Sequence, residues 1–266
     1  MTGSPLARRL LVALVAFDLV FLALPTLVIV VASFTPGPII AFPPEGVSLR
    51  WYRSLLEGGG FVDAFLRSLW VAVVCTAVAI PAGTLAALAM ARHRFRQGTL
   101  LQVYLLLPFT VPLVVAGIGM MLLFGWLRWL GALWPVGLAC CIINLPFMTW
   151  AVASAVNHLD PDLEHAAANL GAGPVRAFLT VTLPAVAPGV ITGGLIMFVL
   201  AFNEFLVSLM LVDARIVTLP VQVYNAIRSV VTPDLAAVSV VYILVAGAAI
   251  WLLDRAVGLE IFLKSK

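Results

Sequence analysis

The chain has 266 residues, 63% of them hydrophobic and only 10% charged, whereas a soluble domain keeps about a quarter of its residues charged to cover its surface. That composition excludes a water-soluble enzyme or binding module and points to lipid. The formal net charge of +3 is scattered along the chain rather than gathered in a tail, which excludes a nucleic-acid partner.

A bilayer core of ~30 Å takes about 20 apolar residues of helix, and stretches at 10–33, 66–90, 101–126, 134–156, 186–211 and 236–257 reach that length. The expected architecture is therefore an all-α membrane protein of six transmembrane helices, forming one domain over 1–266. The first helix follows Arg8 and Arg9 and is longer than the ~7–15-residue core of a cleaved signal peptide, so it is expected to be retained. Asp18 lies in it, about 12 Å from its start, and reads as either a structural pair or a pathway group. The Pro- and Gly-rich segment after it, FTPGPIIAFPPEGVSLRWYRSLLEGGGFVDAF, predicts short helices over Leu49–Leu56 and Phe61–Arg67 along the membrane surface.

With six spans, both termini share one side. That side carries Arg8, Arg9, Arg92, Arg94, Arg96, Arg176, Arg255, Lys264 and Lys266, and the other carries Arg50, Arg53, Arg67, Arg128, Arg215 and Arg228. The basic excess assigns the termini to the cytoplasm, with RHRFR at 92–96 the strongest orienting element because short-loop charges count most. Trp126, Trp129 and Trp134 then cluster at the outer ends of the third and fourth helices, as an aromatic belt does. Cys75, Cys140 and Cys141 fall in apolar runs without metal-ligand spacing and read as small buried residues.

The loop at 157–185 is longer than a connection between two membrane helices requires. Asp160 and Pro161 suit an N-cap and a first helical position, and Asp162 and Glu164 place negative charge in the first turn. Leu163, Ala166, Ala167 and Leu170 follow at helical spacing, a stripe of mostly small residues that a partner's groove can approach closely. Gly171 suits the C-terminal cap. A second helix is expected from Pro174, with Val175, Phe178, Leu179 and Thr182 on one face, stopping at Leu183–Pro184. A helix lying on the membrane surface would share much of this pattern.

The stretch EHAAANLGAGPVRAFLTVTLP resembles the signature cytoplasmic loop of ABC-importer permeases: E-A-A, three residues, Gly, nine residues, I-x-L-P. Here the frame reads His165-Ala166-Ala167, Gly171, then Val181-Thr182-Leu183-Pro184. It departs from the pattern at the acidic position, which is His165, with Glu164 directly before it; the carboxylate contact has either shifted to Glu164 or been lost. The resemblance implies the type I ABC-importer permease fold, with a coupling helix between helices four and five and Glu164, His165, Ala166, Ala167, Gly171 and Pro184 serving ATPase coupling. It also implies an ABC ATPase dimer, a second permease chain forming a heterodimer, and a substrate-binding protein as partners, in a bacterial inner membrane. The chain itself has no G-x-x-x-x-G-K-[ST] phosphate loop. ATP and Mg are accordingly expected on the partner ATPase, with no cofactor and no catalytic residue in this chain.

FPPEGVSLRWY at 42–52, FNEFLVSLML at 202–211 and TLPVQVYNAIRSVVTPDLAAVS at 218–239 resemble the shorter chain of spermidine/putrescine-type permeases. That resemblance implies a polyamine cargo, with an opine, an amino-acid derivative or another small solute as the alternative. Glu204 carries the physical interest, because an ionisable group inside a membrane helix costs at least ~2.5–3.5 kcal/mol unless it meets a partner or water. It reads as a pathway carboxylate for a cation or as a structural hydrogen-bonding group, and Asn203 beside it projects about 100° away on a helix. A stand-alone secondary transporter is disfavoured because Asp18 and Glu204 are too few for an ion relay. An intramembrane enzyme is disfavoured because H-E-x-x-H and G-x-S-x-G are missing.

Overall fold

The computed structural model describes residues 5–40, 42–58, 60–92, 98–160, 162–213, 215–229 and 232–257. The orienting residues Arg94, Arg96, Lys264 and Lys266 and the expected first helical position Pro161 lie outside them. All regular structure among the described residues is helical, and the chain divides into two compact units, 1–62 with 223–249 and 63–222 with 250–266.

In the first unit, α1 (Pro5–Ala32) is apolar along its length and exposed nearly throughout, a surface suited to acyl chains. Asp18 is exposed on it, and no ion pair involves it among the described residues. Below α1 the chain turns back on itself. Ser48 N–H donates to the Phe34 carbonyl at 2.9 Å, the Trp51 indole N–H donates to the Thr35 carbonyl at 2.8 Å, and the Ser33 and Tyr52 hydroxyls lie 2.6 Å apart. These bonds hold the short, strongly amphipathic α2 (Arg50–Glu57) against the end of α1, at the position the sequence predicts. α12 (Pro233–Val257) also belongs largely to this unit and buries Leu235, Ala236, Ala237, Val238 and Val240.

The second unit is built on α3 (Gly60–Arg92), α6 (Trp134–Asn157) and α9 (Leu183–Phe202). Small residues let these helices approach closely. A side chain at Gly189 would meet the Ala151 carbonyl at 2.8 Å, one at Gly193 would meet Met148 Sδ at 2.6 Å, and one at Gly83 would meet Met148 Cγ at 2.4 Å. Met148, Val152, Met197 and Cys75 fill the space between them and are fully buried. The three cysteines are free, buried thiols. Ser68 accepts the Leu219 N–H at 2.8 Å, which ties α3 to the start of α11 (Leu219–Ser229).

Two expected spans are broken rather than continuous. The 101–126 stretch is α4 (Gly98–Thr110) and α5 (Leu113–Trp126), parted at Val111–Pro112 where proline supplies no N–H. The 186–211 stretch ends as α9 at Phe202 and resumes as α10 (Leu206–Leu211), which packs on α5 with Gly117 against Met210 and Val207. The helix expected over Phe61–Arg67 is instead the first two turns of α3, whose 33 residues span ~50 Å at ~1.5 Å each. α11 had no counterpart among the expected helices. Among the described residues, four helices are long and apolar enough to cross a membrane, Arg8–Ala32, Gly60–Arg92, Trp134–Asn157 and Pro174–Phe202, and Leu113–Trp126 and Pro233–Ala248 are shorter apolar helices. Trp129 stacks obliquely on Trp134 with ring centres 4.7 Å apart, while Trp126 stays outside the cluster at 81% exposure.

Candidate functional site

The 157–185 segment holds two helices joined by a glycine bend. Asp160 Oδ1 accepts the Asp162 N–H at 3.0 Å and its carbonyl accepts the Leu163 N–H at 3.2 Å, satisfying donors that a helix start leaves open. α7 (Asp162–Asn169) follows. It ends with Ala172 N–H on the Ala167 carbonyl at 3.0 Å and Gly171 N–H on the Ala168 carbonyl at 2.9 Å, and Gly171 takes φ +86°. This is the Schellman closure, which places its left-handed residue where glycine carries no Cβ penalty.

Nothing on α7 is buried. His165, Ala166 and Ala168 are exposed, Ala167 is half-buried, and Leu170 is 89% exposed. Val175 and Leu179 continue this apolar surface across the bend. Phe178 and Thr182 do not join it, Thr182 being 1% exposed, so the face expected to hold all four residues is split.

The split and a second difference share one cause. The helix beginning at α8 (Pro174–Ala177) does not stop at Leu183–Pro184; it passes through a π-turn (Phe178–Thr182) into α9. Leu183 N–H reaches back to the Phe178 carbonyl, a five-residue step that rotates the side chains relative to α-helical spacing. The wider turn also relieves the clash that Pro184 would make with the carbonyl four residues earlier. Pro184 is therefore carried inside a continuous helical path.

Glu164 does not stand outward with its neighbours. Its side chain is 28% exposed, and Oε1 accepts from the Arg92 guanidinium and from the Thr182 hydroxyl. Arg92 Nη2 also donates to Thr182 Oγ1 at 3.1 Å. Arg92 closes α3 and Thr182 leads into α9, so one carboxylate joins α7 to the ends of two core helices. In the sequence Arg92 reads only as an orienting charge, and Thr182 as a motif position on the face of the second helix. Nothing in their spacing, 72 and 18 residues from Glu164, announces the contact.

Glu204 and Asn203 sit in the break between α9 and α10, not on a continuous helix, so the 100° separation expected of them does not apply. Asn203 is exposed at the end of α9 and its Nδ2 donates to the Val199 carbonyl at 2.8 Å. Glu204 is half-buried, and its Oε1 accepts the Val207 N–H at 2.9 Å. The carboxylate thus satisfies a donor exposed by the break.

A family model described as binding-protein-dependent transport system inner membrane component matches residues 79–259. The chain is 30% identical over 250 residues to the putrescine transport system permease protein PotI of Escherichia coli (strain K12), covering 90% of this chain and 88% of that one. It is 26% identical to the spermidine/putrescine transport system permease protein PotC of Haemophilus influenzae, covering 86% and 89%. Among solved structures, a chain from a bacterial ABC transporter involved in the import of the acidic polysaccharide alginate superposes with TM-score 0.74 at 16% identity, over 96% of this chain and 99% of that one. A chain from an amino acid ABC transporter superposes with TM-score 0.56 at 15% identity, over 79% and 99%.

Proposed function

The chain belongs to the binding-protein-dependent transport system inner membrane components, the permease subunits of ABC importers, and from that premise we propose that the solute it passes is a polyamine of the putrescine or spermidine class. It is a multi-pass membrane subunit with the type I permease fold and not an enzyme; nucleotide belongs to a separate ATPase. The observation that carries the cargo assignment is the match to the putrescine permease along 90% of the chain. Glu204 supports it: a carboxylate at a helix break can replace part of the hydration of a cation while holding it weakly enough to release. Asn203 accompanies it as a second polar group on the pathway.

We assign the exposed Leu163, His165, Ala166 and Leu170 with the half-buried Ala167, the bend at Gly171 and the helical run through Pro184 to docking and coupling of an ATPase dimer. The remaining partners are a second, non-identical permease chain and a substrate-binding protein. The whole chain acts as one permease domain in a bacterial inner membrane, with the α7 side and both termini cytoplasmic.

The test is uptake of labelled putrescine by the reconstituted complex, for the wild type, Glu204→Gln and Glu204→Leu. Gln keeps an oxygen for the Val207 N–H and removes the charge. It is therefore expected to assemble normally and to lower putrescine uptake several-fold. Leu removes the acceptor for the Val207 N–H as well, leaving a donor unsatisfied at a cost of about 1–3 kcal/mol, and is expected to reduce the yield of assembled complex. Uptake of an opine or amino-acid derivative, with none of putrescine, would overturn the cargo assignment. Wild-type putrescine uptake by the Gln variant would remove Glu204 from the pathway.

A further inference from the structure

We propose that Arg92, Glu164 and Thr182 form a clasp that makes α7 move as one body with the ends of α3 and α9, and that Glu164 is a positioning residue rather than a contact to the ATPase. The proposal rests on the assignment of α7 as the ATPase-docking helix.

Three observations lead to it. Glu164 Oε1 already receives both the Arg92 guanidinium and the Thr182 hydroxyl, and these two donors are themselves bonded at 3.1 Å. His165 is exposed on the neighbouring position, about 100° around the helix, so the outward place of the signature's acidic residue is held by histidine while the carboxylate faces the protein. Finally, α7 buries no residue of its own, and among the described residues Arg92–Glu164 is the one ion pair that reaches it. Beyond its packing on α8 and the π-turn that follow it in the chain, its side-chain attachment to the end of α3 is this polar joint.

The mechanical consequence follows from where the joint lands. α3 and α9 both pack on α6 through glycines that leave no slack at Gly83, Gly189 and Gly193. A displacement delivered to α7 reaches those close-packed helices as a rigid push when the clasp is closed. With the clasp open, the φ +86° bend at Gly171 lets α7 tilt by itself. A partly exposed ion pair contributes little net stability, so removing it should leave the fold standing and change the transmission.

The experiment uses the assembled complex of this chain, its second permease and its ATPase in liposomes, with Cys75, Cys140 and Cys141 replaced by Ala. Spin labels at Leu85 on α3 and Ala168 on α7, both exposed, report the separation of the two helices in nucleotide-free and vanadate-trapped states. The wild type is expected to give one narrow distance shared by both states. Glu164→Gln and Arg92→Gln are expected to retain the ATPase yet give distances that differ between states, and the exchange Arg92→Glu with Glu164→Arg should restore the shared distance. An unchanged shared distance in Glu164→Gln, or an exchange that restores nothing, would overturn the clasp. Ala166→Trp separates this from the docking reading: if it releases the ATPase while Glu164→Gln keeps the shared distance, docking stands and the clasp is refuted. Release of the ATPase by Glu164→Gln would make Glu164 a docking contact, against the proposal. Failure of the wild type to bind an ATPase would overturn docking and clasp together.

Discussion

At the scale of single residues, Gly171 shows how a motif position becomes a physical requirement. It sits at φ +86° with nothing within 4 Å of where a Cβ would stand, so space does not restrict it and conformation does. An L-residue in the left-handed region costs roughly 1–2 kcal/mol. Gly171→Ala is expected to assemble and to lose transport only in part, because its N–H still reaches the Ala168 carbonyl. Gly171→Pro removes that N–H and fixes φ near −65°, and is expected to abolish transport while membrane insertion persists. Uptake normalised to inserted protein distinguishes the two; equal activity in both variants would show that the bend has no role in coupling.

At the scale of elements, the core is set by where glycine lets helices meet. Gly189 and Gly193 are four apart on α9 and both face α6, with a Cβ at Gly189 meeting Ala155 Cβ at 2.6 Å and the Ala151 carbonyl at 2.8 Å. Gly189→Leu must drive the two helices apart, an overpacking cost of about 1–3 kcal/mol or more, and is expected to lower the melting temperature of the detergent-solubilised protein. Gly119→Ala meets nothing within 4 Å and should melt as the wild type does; similar behaviour of the two would refute the close-packed interface. The stripe at Leu163, Ala166, Ala167 and Leu170 and the glycine cap after it were legible in the sequence, because both are local patterns with a fixed spacing; the helix contact at Gly189 and Gly193 was not. The breaks at Val111–Pro112 and at 203–205 were not either, because hydropathy is continuous across them; Pro112 permits the first, but Pro108, Pro146 and Pro188 lie inside unbroken helices, so packing selects which proline breaks a helix. The π-turn at Phe178–Thr182 escaped for a related reason: a proline inside an apolar run reads as a stop, and the sequence does not reveal that a wider turn can absorb it. Glu164 was legible as a first-turn acid but not as a partner of Arg92, since contacts between distant loops leave no periodic trace.

At the scale of the whole molecule, orientation gives every site its meaning, because the α7 surface can meet an ATPase only from the cytoplasm. Nine of the basic residues were assigned to that side and six to the other, and the rule that Lys and Arg gather inside ties the side of α7 to the side of Arg8, Arg9 and Arg92. The proposed assignment would put α2 and the turn before α11 on the outer side, the side from which a binding protein would deliver solute. Single cysteines at Asn169, Arg50 and Asp213, all exposed, test it with a membrane-impermeant maleimide. The native thiols are buried and should remain unlabelled, so the protein carries its own control. In intact cells with a permeable outer barrier, positions 50 and 213 are expected to label and position 169 is not; in inverted vesicles the pattern should reverse. Labelling of 169 together with 213 from one side would place α7 away from the cytoplasm, and the assignment of its exposed alanine and leucine surface to an ATPase would fall with it.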